Sequence, residues 1–170
     1  MTSEAQSSRP PGGANVVFDA TARFVSLLAG LSLCALVIVL AWQVYGRYVL
    51  NASPSWTEPV ALTLMSITAL FGAALAVRSE SHFSFPTLVD SAPHGVRAVL
   101  KFFGRLIAFA FGLALAGFGG FLVWGSWSVP MAGAPLPEGA SYLGLALGGA
   151  FIAFFGLERL IEGDPPRTDA

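Results

Sequence analysis

Few residues in this chain could do chemistry, and most of them lie in one stretch. It reads RYVLNASPSWTEP, then an apolar run closing in LFGAALAVRSESHFSFPTLVDSAP. Ser55 followed by Glu58 has the spacing of a capping box, in which each side chain serves a free backbone N–H at a helix start. Pro59 then falls in the first turn, where a missing N–H costs nothing. Arg47, Asn51, Trp56 and Glu58 therefore admit two readings: loop closure with helix capping, or contact with a partner. Further on, Arg78, Glu80, His82 and Asp90 are either solvated residues at headgroup level or a second contact group. The two histidines, His82 and His94, lie outside the apolar runs, so they do not make an axial haem pair inside helices. The single cysteine, Cys34, excludes an internal disulfide and a cysteine-rich metal site. It reads as a small buried apolar residue. No nucleophile has a neighbouring base. The sequence thus leads us to expect no catalytic residue, no cofactor ligand and no metal ligand.

The elements that would position these residues are membrane helices. Hydrophobic residues make up 55% of the 170 and charged residues 11%, with a mean hydropathy of +0.69. Soluble domains carry about 25% charged residues. A net charge of −1 gives nucleic acid no electrostatic footprint, so no nucleic-acid partner is expected. Crossing the hydrocarbon core takes about 20 apolar residues in a helix, the form that satisfies its own backbone in lipid. The expected fold is all-α: a flexible tail over 1–20, a transmembrane domain over 21–161, and a polar tail over 162–170. Its four spans fall at about 24–45, 58–77, 104–127 and 141–158. The N-terminal segment lacks the basic region and cleavage site of a signal peptide.

Lysine and arginine set the orientation. Arg9, Arg23, Arg78, Arg97, Lys101, Arg105, Arg159 and Arg167 fall on one side, and Arg47 alone on the other. Both termini are therefore expected in the cytoplasm. All Trp and Tyr residues (Trp42, Tyr45, Tyr48, Trp56, Trp124, Trp127 and Tyr142) fall at the outer ends of the four spans. That is where an interfacial aromatic belt belongs.

Span three carries Gly104, Ala108, Gly112, Ala116 and Gly120 at intervals of four. Small residues on one face let helix backbones approach closely in lipid. Gly144, Gly148, Gly149 and Ala153 are the matching small residues of span four, so the two should form a close hairpin. Phe103, Phe111, Leu113, Phe118, Phe121 and Leu122 make the other side of span three bulky, facing lipid or a larger partner. Arg97, Lys101 and Arg105 form a basic stripe suited to anionic lipid headgroups. Mid-span polar groups are limited to Ser32, Ser66 and Thr68, whose hydroxyls can bond their own helix. A transporter acting alone would be expected to hold a charge or a broken helix at mid-depth. Neither is present.

This pattern resembles the small permease subunit of tripartite ATP-independent periplasmic (TRAP) transporters, the DctQ-like family. The resemblance rests on Arg47, Asn51, Trp56, Glu58, Gly72, Ala73, Ala74, Arg78, His82, Asp90 and Pro93, and on the four-span layout. Two positions depart from the family pattern. Pro59 replaces the second Glu of an acidic pair, and Ile67 stands where a Trp is often found. The resemblance implies a multi-pass protein of the bacterial inner membrane that braces a large multi-span permease subunit. It also implies a periplasmic substrate-binding protein, sodium-coupled uptake of an organic acid, and substrate sites in the other chains. Membrane lipid is the remaining expected partner. Two other classes stay open: an independent small transporter or channel, and a membrane anchor for a redox enzyme.

Overall fold

The computed structural model describes residues 13–52, 54–79 and 94–162. It consists of four long helices: α1 (Gly13–Tyr48), α2 (Thr57–Arg78), α3 (His94–Ser126) and α4 (Leu143–Glu162). A short 3-10 helix, Glu138–Tyr142, leads into α4. Each long helix includes a stretch apolar and long enough to cross a membrane: Val17–Tyr48, Thr57–Arg78, Phe102–Ser126 and, counting the 3-10 turn, Glu138–Ile161. The short fourth span of the sequence reading is completed by that turn. α1 begins at Gly13, inside the stretch expected to be a tail. Its 36 residues make a rod of about 54 Å, against a hydrocarbon core of about 30 Å.

The helices pack in the order α1, α2, α4, α3, with α4 between α2 and α3. α2 and α4 run parallel: Gly144, near the start of α4, meets Ile67 in the middle of α2, and the rings of Phe71 and Phe151 stack edge to face at 5.4 Å further along. Arg78 meets Glu158 at their ends. Two hairpins therefore stand the same way up, and the Trp and Tyr residues gather at the end shared by the α1–α2 and α3–α4 connections. The best-buried core lies at the opposite end, formed by Ala22, Val25, Phe71, Ala74, Ile152 and Phe155.

α3 and α4 meet backbone to backbone. A Cβ placed on Gly112 would reach Ile152 Cγ2 at 2.8 Å, and one on Gly149 would reach the Ala116 backbone nitrogen at 2.5 Å. Ala108 is buried beside them. Gly104 and Gly120, the ends of the expected face, would meet nothing within 4 Å. Gly119 takes the upper position instead, with a Cβ-to-Ala146 nitrogen distance of 2.6 Å. Helical drift explains the change. Seven residues beyond Gly112 return within about 20° of its direction, whereas eight overshoot by about 80°. On the far side of α3, Phe103, Phe111, Leu113, Phe118 and Phe121 are exposed. Cys34 is also exposed, on α1. The expectation that it is buried fails because α1 packs chiefly on α2, meets α4 near its start through Phe18 and Phe154, and leaves most of its circumference bare.

Candidate functional site: an ion cluster at one end, a loop clamp at the other

Arg78 ends α2 and organises the first site. Its Nε donates to Glu158 Oε1 and Oε2 at 3.3 and 3.2 Å, and its Nη2 donates to Asp19 Oδ1 at 2.5 Å. One guanidinium thereby joins α1, α2 and α4. Arg159, one residue beyond Glu158, donates through Nε to the Arg78 carbonyl at 2.7 Å and through Nη2 to the same oxygen. That carbonyl is among those a helix end leaves without an intrahelical partner, and a cation suits the negative end of the helix dipole. The Arg78 guanidinium carbon lies 5.7 Å from the centre of the Phe155 ring, a cation–π contact. The partners differ in setting: the Glu158 side chain is 4% exposed and that of Asp19 58%. A buried carboxylate is costly unless paired, so the Glu158 arm holds the cluster and the Asp19 arm is a surface pair.

At the aromatic end the chain leaves α1 through Asn51, the one described non-glycine residue with a left-handed backbone (φ 49°). Asparagine tolerates that region better than most residues. The Ala52 N–H then donates to the Gly46 carbonyl at 3.1 Å. The capping box does not form: the α2 N-cap is Trp56, with no side-chain bond. The Ser55 hydroxyl donates across the structure to the Gly133 carbonyl at 3.0 Å. Gly133 has φ +86°, and a Cβ there would reach the Ser55 carbonyl oxygen at 2.7 Å. The α3–α4 loop is closed by backbone bonds from Met131 to Leu136 (2.9 Å) and from Glu138 to Val129 (2.8 Å). Thr57, fully buried, bonds the Pro54 carbonyl at 2.8 Å. This clamp joins the two hairpins at their aromatic end, as the ion cluster joins them at the other.

The structure thus puts Arg47, Asn51, Trp56 and Glu58 in one neighbourhood. Arg47, Trp56 and Glu58 are exposed. Arg78 is about a helix length away, in the ion cluster. His82 and Asp90 lie outside the described residues. Arg97 and Lys101 fall on α3, but their side chains lie outside what is described, and Arg105 is half-buried. Thr68 bonds the Leu64 carbonyl at 2.9 Å, the local use expected of a mid-span hydroxyl. Sequence reasoning missed Asp19, Ser55's long-range bond, Thr57 and Glu158. A signal existed for Glu158: it closes span four at the level where Arg78 closes span two.

Comparison with known proteins decides the family. The profile described as "Tripartite ATP-independent periplasmic transporters, DctQ component" matches residues 36–165. The chain belongs to the DctQ family. A protein assigned as a TRAP transporter small permease in Haemophilus influenzae is 28% identical over 142 residues, covering 78% of this chain and 83% of that one. The sialic acid TRAP transporter small permease protein SiaQ of Vibrio cholerae is 34% identical over 68 residues. That second match spans 40% of this chain and 39% of the SiaQ length. As a DctQ protein the chain is a transport component and not an enzyme. The four membrane-length helices among its described residues and its family together make it a multi-pass protein of the inner membrane.

Proposed function

We propose that this DctQ chain is a static brace for a large multi-span permease subunit, in sodium-coupled uptake of an organic acid delivered by a periplasmic binding protein. One observation carries the reading. Among the described residues no charged side chain stands in the middle of a membrane-length span: Arg23 and Arg105, the furthest from a helix end, lie within about two turns of the start of their spans, so the membrane interior of this chain offers no charge to a substrate or ion. What the chain does have suits a scaffold: a glycine seam, a clamp at each end and wide apolar faces. Both termini and the connection between α2 and α3 are cytoplasmic in this reading, as the Lys and Arg distribution favours. The aromatic end, with Arg47, Trp56 and Glu58, then faces the periplasm, where the binding protein docks. Arg97, Lys101 and Arg105 rest on anionic lipid. The sialic acid named for one relative is an organic acid, which agrees with that substrate class. Co-purification of the chain with the large permease, and loss of uptake when the chain is withheld from a reconstituted three-part system, test the proposal. Unchanged uptake without it would refute the bracing role.

A further inference from the structure

We infer that a cleft between α1 and α2, beside the ion cluster, binds the headgroup of an aminophospholipid. Its volume is about 580 Å³. α1 contributes Asp19, Arg23, Ser26 and Leu27 to its wall, and α2 contributes Leu75 and Arg78. Positions 19, 23, 26 and 27 recur at helical spacing and so share one face of α1. The wall changes character along the helix axis. Asp19 and Arg23 occupy the end nearest the membrane surface, Ser26 follows, and Leu27 lies about 12 Å deeper than Asp19. A surface that runs from charged to apolar over that distance fits an amphiphile.

The charges choose the amphiphile. Arg23 and Ser26 offer a cation and a hydroxyl donor to a phosphodiester. Asp19 gives Oδ1 to Arg78, and its side chain is 58% exposed at the mouth of the cleft. A carboxylate there repels a purely anionic ligand and attracts an ammonium. A phosphate with a primary ammonium two carbons away meets both demands, with the phosphate on Arg23 and Ser26 and the ammonium on Asp19. Glu158 keeps Arg78 neutralised from the α4 side, so the cleft gains little anion affinity from it.

The test uses the purified full-length chain in detergent, loaded separately with phosphatidylethanolamine, phosphatidylcholine and phosphatidylglycerol, with retained lipid read by native mass spectrometry. Phosphatidylethanolamine should be retained about fivefold over phosphatidylcholine, whose methylated amine has no N–H to give Asp19. Arg23→Gln should weaken retention of both, and Asp19→Asn should abolish the difference between them. Thermal melting in the same detergent checks that each variant is folded, and the comparison of lipids on the unaltered chain needs no variant. Equal retention of the two lipids, tighter retention of phosphatidylglycerol, or displacement by inorganic phosphate would overturn the inference. So would loss of the lipid once the large permease is bound, which would assign the cleft to a protein contact.

Discussion

α1 and α4 are both apolar helices of membrane length, yet they have opposite surroundings. Of the residues in the most apolar window of each span, 39% are buried inside the protein for α4 and 6% for α1. Hydropathy runs the opposite way, the bare α1 being the more apolar of the two. Small residues facing small residues separate them, together with charges that must find partners. α4 presents Gly149 and Ala153 to α3, Gly144 and Gly148 to α2, and Glu158 to Arg78. On α1, Gly30 would have nothing within 4 Å of an added Cβ, and its ionic contribution is the exposed Asp19. In lipid, close packing and satisfied polar groups hold helices together, because burial of apolar surface gives no advantage there.

Substitutions along the two helices should sharpen this contrast. Glu158→Ala leaves Arg78 without its buried partner and should cost about 3 to 5 kcal/mol, read as a lowered melting midpoint in detergent. Asp19→Asn should lower that midpoint much less. If the two variants melted alike, the division between a buried and a surface arm would fail. Gly112→Leu drives a side chain into Ile152 and Ala153 and should cost about 2 to 3 kcal/mol. Gly120→Leu, one residue beyond Gly119 and turned away from the seam, should be nearly silent; a loss equal to that of Gly112→Leu would restore the strict four-residue face. Ser55→Ala removes one hydrogen bond of the clamp at the aromatic end and should cost about 1 kcal/mol. The smallest effect is expected for Gly30→Leu, which should leave the stability of the isolated chain unchanged.

Much of this architecture is legible in the sequence, for physical reasons. A membrane helix must be long and apolar, so the four spans announce themselves. An interface must hold Trp and Tyr, so their one-sidedness gives the relative direction of the helices. The middle of the α3 seam is legible too, because Ala108, Gly112 and Ala116 repeat. Its ends are not, since the helix drifts off a four-residue interval and Gly119 replaces Gly120. Ser55 and Glu58 were misleading as a capping pair: local spacing cannot reveal that the Ser55 hydroxyl has a partner 78 residues away. Asp19 was hidden for a similar reason. It lies in a stretch whose composition resembles a tail, and only the packing of α1 on α2 brings it to Arg78.

Gradient-driven uptake into liposomes tests the account most directly. Vesicles holding this chain, the large permease and the binding protein should accumulate a labelled carboxylate when a sodium gradient is applied. Vesicles holding this chain alone should accumulate no more than protein-free vesicles. Sodium-driven accumulation by this chain alone would contradict the account, because it would require a path through an interior with no mid-span charge among the described residues.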